Sequence, residues 1–381
     1  MNLLWRALLA GFSVALAAGS LLRPRKRPVR RHGSPNLLDQ ALVAADGTRL
    51  PFRVWRPQGE PLAVIVALHA FGDWREGFAA CAPLFAARGL MVYAYDQRGF
   101  GETRSRGEWA GAETLGGDLV DVVRAIRERH AELPLAILGE SMGGAVALAA
   151  FDRPEPPAAD ALVLVAPGVR GDLPLRQLHD VALRLGALAL PWLTIELRRG
   201  GRPWLLPEEA ERFADDPQIL RDLNVTTYEG LIELAERASA VPRGALPPTL
   251  VIYGSLDTTV PEAAITQLMT RLGNRGALRE YPDRHHLLLH EHNVDQVVDD
   301  CIAWLEPLLA AARERRRLEQ AAAAAAAREA EAAAARDAEA ERGAEAAPAE
   351  DLASGAEAEA GEPKDGQVRA GPQAAAPRAA E

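Results

Sequence analysis

Short apolar runs alternate with segments of helical periodicity over most of the chain. A bounded apolar run of about four to eight residues is typical of a buried strand. Such runs occupy residues 62–69, 90–96, 134–138, 161–166, 248–253 and 277–281. Helices are predicted near residues 77–88, 113–132 and 144–150. Strands that alternate with helices predict a mostly parallel, doubly wound α/β sheet that is covered on both faces.

Two further segments modify this pattern. Asp46-Gly47 separates the runs 40–45 and 49–55, which is the signature of an antiparallel hairpin. Between about residues 168 and 244 the alternation stops, which predicts an inserted helical cap. The first half of the cap, residues 181–193, is too apolar for an ordinary surface helix. It could simply pack on the core, or it could line an apolar pocket or touch lipid, and these interpretations stay open.

The two ends of the chain differ from the centre. An apolar run at residues 7–22 is followed by six positive charges within residues 23–31. Residues 313–381 are rich in alanine and glutamate, which predicts a solvated helix that passes into a disordered tail. The predicted organisation is therefore an N-terminal segment (1–34), a central α/β domain (35–312) and this tail.

The N-terminal run has two interpretations. It could be a signal peptide cleaved after residues 15–17, Ala-Leu-Ala, in which case the protein is exported. Alternatively, residues 7–22 form an uncleaved anchor and residues 23–31 lie against anionic head groups. Positive charges favour the cytoplasmic face of a membrane, so we expect a membrane-associated protein with a cytoplasmic catalytic domain.

Composition narrows the function classes. The chain has 381 residues and a net charge of −10, which gives no basic surface for nucleic-acid binding. Its two cysteines, Cys81 and Cys301, lie in apolar helical patterns. They are predicted to be buried thiols rather than a disulfide or a redox pair.

The most specific chemical signal is residues 139–143, Gly-Glu-Ser-Met-Gly. A predicted strand precedes it and a predicted helix follows it. This context predicts a nucleophile elbow, a sharp turn that exposes the hydroxyl of Ser141. Gly139 and Gly143 are expected where neighbouring chains pass too close for a Cβ atom.

Partners for this serine follow later strands. Asp257 comes just after the strand at 248–253, and His285 and His286 come after the strand at 277–281. The chain order Ser, Asp, His is that of an α/β-hydrolase triad. Asp257 could instead cap a helix that begins near residue 261. A metal site at His286 and His290 is disfavoured because no cysteine or carboxylate cluster completes it, so no metal is expected.

These segments together resemble the α/β-hydrolases of the monoglyceride lipase, lysophospholipase and serine aminopeptidase group. The resemblance covers roughly residues 38–310 and is carried by residues 64–72, 95–101, 139–143, 254–257 and 281–291. It implies an α/β-hydrolase fold with an inserted helical cap and no cofactor. Two residues depart from the family pattern: Ala70 replaces a glycine, and Phe100 replaces a histidine.

The resemblance also implies the site residues. The pattern Tyr-Pro-x-x-x-His selects His286 over His285 as the base beside Ser141 and Asp257. The backbone N–H groups of Phe71 and Met142 are implied to form the oxyanion hole.

The expected activity is a serine hydrolase that cleaves carboxylic esters through an acyl-enzyme. The expected partner is a small lipid-like ester, similar to a monoacylglycerol or a lysophospholipid. An amide-cleaving or acyl-transferring enzyme of the same fold remains an alternative. A scaffold or binding protein without catalysis is an alternative of another class.

Overall fold

The structure, a computed structural model, describes residues 33–171, 194–196, 203–240 and 246–345. Within these ranges the chain forms eleven strands. They are β1 (Asn36–Leu37), β2 (Ala41–Val43), β3 (Arg49–Trp55), β4 (Ala63–Leu68), β5 (Leu90–Tyr95), β6 (Leu135–Glu140), β7 (Ala161–Val165), β8 (Thr194–Glu196), β9 (Asp222–Asn224), β10 (Thr249–Gly254) and β11 (Gly276–Tyr281).

Nine of these strands form the central sheet, in the order β1-β2-β3-β5-β4-β6-β7-β10-β11. The six strands from β5 to β11 in this order are parallel, and β1, β2 and β3 add an antiparallel edge. The predicted hairpin around Asp46-Gly47 is the β2–β3 pair. β8 and β9 pair separately in the cap region.

Seven α-helices are described, and all except α4 pack on one or the other face of the sheet. They are α1 (Ala82–Ala87), α2 (Ala112–Arg129), α3 (Met142–Ala150), α4 (Pro207–Asp215), α5 (Val225–Ser239), α6 (Glu262–Leu272) and α7 (Val294–Glu345). One hydrophobic core joins α2, α3, α5 and α6 to one face of the sheet, while α1 and the first turns of α7 pack on the other. The doubly wound α/β arrangement is therefore confirmed.

Strand β4 shows why the central strands read as continuous apolar runs. All six of its residues are buried. Residues 64, 66 and 68 belong to one core, and residues 63, 65 and 67 belong to the other. Because successive side chains point to opposite faces, a strand covered on both sides needs an apolar residue at every position.

Helices α2 and α3 lie on the same face of the sheet but differ in how completely they are buried. α2 buries Leu115, Leu119, Val122 and Ile126, at the spacing of one helical stripe. Every residue of α3 is buried, and most are glycine or alanine. These small side chains let α2 and α3 approach closely, which fixes the helix that follows the nucleophile.

The predicted helix at 77–88 is interrupted. The chain makes a 3-10 turn at Arg75–Phe78 and then α1. In the second half of the predicted cap, the structure describes α4, β9 and α5. The apolar residues 181–193 lie outside the described residues, as do the two N-terminal segments, 7–22 and 23–31, and the tail after residue 345.

Two compact units divide the chain, Met1–Ala321 and Ala322–Glu381. In the second unit, all residues from 322 to 339 are exposed and helical, as their alanine-rich sequence predicts. Cys81 and Cys301 are both buried free thiols, as predicted. No helix in the described part of the chain is long and apolar enough to cross a membrane.

Candidate active site

Ser141 occupies the sharp turn between β6 and α3. Its backbone has φ 50° and ψ −112°, a conformation that is uncommon for a residue with a side chain. A Cβ on Gly143 would lie 2.1 Å from the carbonyl oxygen of Leu68, and one on Gly139 would lie 2.7 Å from the backbone of Gly143. The two glycines are therefore required by close backbone approach, for the reason predicted from the sequence.

A continuous chain of hydrogen bonds connects Ser141, His286 and Asp257. The Oγ atom of Ser141 lies 2.8 Å from Nε2 of His286, and Nδ1 of His286 lies 2.7 Å from Oδ2 of Asp257. The Asp257 side chain is fully buried and that of His286 is 11% exposed. The three residues predicted from separate strands thus meet at the carboxyl edge of the parallel sheet.

Asp257 faces His286 and does not cap the helix that follows it, because the N-cap of α6 is Pro261 and no side chain bonds there. Its Oδ2 faces His286, while Oδ1 accepts the backbone N–H groups of Thr259 and Val260 at 2.7 and 3.0 Å. The carboxylate therefore organises the turn before α6 and also faces the imidazole. Four hydrogen-bond directions are available on a carboxylate, so the two contacts do not compete.

His285 has a different environment from His286. Its backbone N–H donates to Glu291 Oε1 at 2.9 Å, and its ring stacks on Trp204 with 3.9 Å between centroids and 12° between planes. The His285 ring therefore faces the cap region. The structure brings His286, and not His285, to Ser141.

Phe71 and Met142 lie on the two elements that flank the nucleophile. Met142 is the first residue of α3, where backbone N–H groups have no carbonyl partner within the helix. Phe71 follows β4, which is the direct neighbour of β6 in the sheet. This placement is compatible with an oxyanion hole, whose role remains a prediction.

His69 fixes the loop that carries Phe71. Its Nδ1–H donates to the carbonyl of Ala70 at 2.9 Å, and Nε2 accepts the backbone N–H of Gln97 at 3.0 Å. Burial lowers the pKa of His69, so the ring is neutral and can accept this bond at neutral pH. A neutral histidine therefore ties the loop to the turn after β5.

Both departures from the family pattern pack against this loop. The ring of Phe100 meets those of His69 and Phe71 edge-on, with centroids 5.5 and 5.8 Å apart. Ala70 joins a small apolar cluster with the cap and the histidine loop, formed by Ala70, Leu205, Phe213, Ile219 and Leu287. The two substitutions thus add apolar contacts around the loop.

A buried ionic network that sequence reasoning missed lies beside the triad. It contains Asp73, Glu140, Glu209, Arg212 and His290. The His290 ring makes contacts of 2.8 Å to Glu140 and 2.7 Å to Glu209. Arg212 bonds Glu209 and makes a two-pronged contact to Asp73 at 2.6 and 3.0 Å. The signal available in the sequence was the acidic residue before Ser141 and a second histidine four residues after His286.

The charges of the network follow from its geometry. Burial alone would lower the pKa of His290, but the carboxylates of Glu140 and Glu209 outweigh it and raise the pKa to about 10. Burial would raise the pKa of Asp73, yet Arg212 holds it at about 2. His290 is therefore an imidazolium at neutral pH. The described residues contain no group of metal-ligating side chains, and His290 is committed to carboxylates.

Comparison with known proteins agrees with the fold. The model of the family "Serine aminopeptidase, S33" matches residues 59–293. A monoacylglycerol lipase of Mycolicibacterium smegmatis is 29% identical over 70% of this chain and 96% of its own length. The human monoglyceride lipase is 30% identical over 66% of this chain and 84% of its own length.

The likeness extends to solved structures. A soluble variant of the monoglyceride lipase of Saccharomyces cerevisiae, in complex with a substrate analog, covers 75% of this chain and 99% of its own. Its TM-score is 0.59 at 17% identity, which shows a shared fold. Together with the family match, this shows that the chain belongs to the serine aminopeptidase S33 family of α/β-hydrolases.

Proposed function

We propose that this carboxylic ester hydrolase cleaves monoacyl lipid esters by a Ser-His-Asp mechanism. The observation that supports the mechanism is the chain of contacts from Asp257 through His286 to Ser141, at 2.7 and 2.8 Å. Both distances are within hydrogen-bonding range. The order of these contacts supports the roles of Asp257 as the orienting acid, His286 as the base and Ser141 as the nucleophile.

In the acylation step, Ser141 Oγ attacks the ester carbonyl while Nε2 of His286 takes its proton. Asp257 accepts the Nδ1–H of His286, so the free nitrogen faces the serine and the imidazolium that forms is stabilised. The new C–O bond gives a tetrahedral intermediate with a negative oxygen. The N–H groups of Phe71 and Met142 would stabilise that oxygen.

Collapse of this intermediate breaks the ester bond. His286 gives its proton to the leaving alkoxide, and the acyl group stays on Ser141. Water then attacks the acyl-enzyme by the same route, with His286 as base, and releases the fatty acid. Removing one oxyanion donor typically lowers kcat by about 100- to 1,000-fold.

The substrate class is proposed from two observations. The matched relatives are monoacylglycerol and monoglyceride lipases. In addition, the apolar cluster that contains Ala70, Phe213 and Leu287 joins the cap to the loops around Ser141. An acyl chain that leaves water for such apolar surroundings gains about 0.8 kcal/mol per buried methylene.

Labelling with a fluorophosphonate probe tests the mechanism. The wild type should be labelled at Ser141, and Ser141→Ala should lose both labelling and hydrolysis of monoacylglycerols. Ser105→Ala, in the loop before α2, is the matched control and should keep both. Labelling that persists in Ser141→Ala would rule out this nucleophile, and an inert wild type would favour a scaffold.

The location is a separate proposal that rests on sequence alone. Residues 7–22 would insert into a membrane, and each cation of residues 23–31 would add roughly 1 kcal/mol near an anionic surface. The full chain should fractionate with membranes and resist a salt wash, whereas a chain that starts at Pro35 should be soluble and active. A mature N-terminus at Ala18 would show that the segment is a cleaved signal peptide.

A further inference from the structure

We propose that the ionic network of Asp73, Glu140, Glu209, Arg212 and His290 positions the catalytic groups and couples their geometry to the cap. This inference rests on the proposed function. The five residues are assigned as positioning residues, because their hydrogen bonds described above run to one another and not to the reacting atoms. Their effect reaches the chemistry through the backbone segments that carry them.

Each part of the site contributes one member or more to the network. Glu140 directly precedes Ser141, and His290 lies four residues after His286. Asp73 lies two residues after Phe71, on the loop of the proposed oxyanion hole. Glu209 and Arg212 both belong to α4, on the cap.

The consequence is a chain of hydrogen bonds from the cap helix to Glu140, the residue before the nucleophile. Glu209 Oε2 receives the Nδ1–H of His290, and Nε2–H of the same ring donates to Glu140 at the base of the elbow. One turn further along α4, Arg212 donates two hydrogen bonds to the carboxylate of Asp73. One helix thus contacts the elbow through His290 and the oxyanion loop through Asp73.

Backbone hydrogen bonds reinforce the same connections. Leu206, just before α4, donates its N–H to the carbonyl of His290 at 2.9 Å. Leu220, just after α4, donates to the carbonyl of Gly72 at 2.8 Å. The cap segment is therefore tied to the histidine loop before the helix and to the oxyanion loop after it.

The charged contacts fix the relative geometry of these segments rather than adding to the stability of the fold. Four of the five residues are buried, and the Arg212 side chain is only 12% exposed. Well-packed apolar side chains can match a buried ion pair in stability, whereas loss of one partner leaves an uncompensated buried charge. Three carboxylates face two cations, and Glu209 Oε2 accepts from both His290 and Arg212. A shift of α4 or of the loop that carries His290 therefore breaks more than one contact.

Glu209→Gln is the sharpest perturbation. It keeps the shape of the side chain and removes one charge from the cap helix. It changes no residue in either catalytic loop. Displacement of a catalytic group by about 1 Å can lower turnover about 100-fold, so we expect a kcat loss of that order on a short, soluble p-nitrophenyl ester. KM should change little, because such an ester has no long acyl chain to contact the cap.

Asp160→Asn is the matched control. Asp160 also carries ion pairs, to Arg127 at 2.6 Å and Arg316 at 2.9 Å. It lies at the beginning of β7, at the edge of the sheet opposite to Ser141. Asp160→Asn should lower the melting temperature and leave kcat of the folded protein unchanged.

The measurements are kcat, KM, the rate of fluorophosphonate labelling and the melting temperature. If Glu209→Gln does not fold, Arg212→Lys takes its place, since lysine keeps the charge but loses the two-pronged contact to Asp73. A selective fall in kcat and labelling rate supports the proposal. An unchanged kcat in the folded variants, or an equal loss in Asp160→Asn, overturns it.

Amide hydrogen exchange separates this inference from the proposed function. Glu209→Gln should accelerate exchange in the segments 69–73 and 285–291, and Asp160→Asn should not. This readout requires no activity, so an inert wild type would refute the proposed function while exchange still decided the network. Unchanged protection of both segments in Glu209→Gln would refute the positioning role.

Discussion

Raising the pH above neutrality should destabilise the protein through His290. The pKa of this histidine is 6.5 in an unfolded chain and about 10 in the folded protein, where Glu140 and Glu209 surround it. The folded state therefore keeps a proton that the unfolded state releases. The stabilisation is fully present below pH 6.5 and is lost as the pH rises towards about 10. A pKa difference of 1 unit corresponds to about 1.36 kcal/mol. The free energy of unfolding should therefore fall by about 1.5–2 kcal/mol between about pH 6.5 and pH 8.

Four other groups with shifted pKa values act outside this window. Burial lowers the pKa of His69 and His130, so the unfolded chain binds more protons at these residues than the folded protein does. Their contribution to stability therefore rises with pH, opposite to that of His290, and it changes mainly below the ordinary histidine pKa. Burial raises the pKa of Cys81 and Cys301, so the unfolded chain loses thiol protons first, but only above roughly pH 8.5. The charged groups that face His290 are Glu140, Glu209, Asp73 and Arg212. Ion pairs lower the pKa of Glu209 and Asp73 and raise that of Arg212, which moves all three away from neutrality.

Urea unfolding at a series of pH values between 6 and about 8 measures this slope, with the linear extrapolation giving each free energy. His290→Gln should be less stable than the wild type at low pH and should lose the slope. His292→Gln is the matched control, because His292 is an exposed histidine in the same loop and its removal should keep the slope. A wild-type free energy that stays constant or rises between pH 6.5 and pH 8 would contradict an imidazolium at His290.

Three further predictions concern the site. His286→Ala should lower turnover by several orders of magnitude, since triad members act as a unit, whereas His285→Ala should have a much smaller effect; assays on monoacylglycerols check this, and the reverse order would refute the assignment. Gly143→Ala should lower both the melting temperature and the labelling rate, because its Cβ would lie 2.1 Å from the Leu68 carbonyl oxygen; wild-type values would contradict the close approach. Specificity constants across p-nitrophenyl esters should rise with acyl length, and a flat profile would exclude the proposed substrate class.

Local patterns made the fold and the triad predictable. Ser141 lies between an apolar strand and a small-residue helix, and both signals are contiguous in the sequence. Asp257 and His286 each follow their own strand, and parallel strands bring their carboxyl ends to one edge. The chain order, together with the family pattern, then connected three residues that span 145 positions of the sequence.

The ionic network was not predictable by the same means. Glu209 lies in the first turn of α4, where acidic residues are common because they favour the helix N-terminus. Its burial depends on His290, 81 positions later, and on Arg212. From sequence alone, a polar residue on a helix is interpreted as exposed to solvent unless its partner is known. No periodicity in the sequence identifies that partner. Likewise, the separation of His285 from His286 depended on the Trp204 stack as well as on the family pattern.

The backbone of Ser141 has a consequence for how this enzyme can change. A φ of 50° is one that glycine adopts freely, and a strained residue of this kind costs about 1–3 kcal/mol. Ser141→Gly would relieve that strain while removing the proposed nucleophile. The active sequence is therefore not the most stable one at this position, and selection for thermostability alone would favour an inert protein. Libraries built to stabilise this hydrolase should hold codon 141 fixed and screen on turnover.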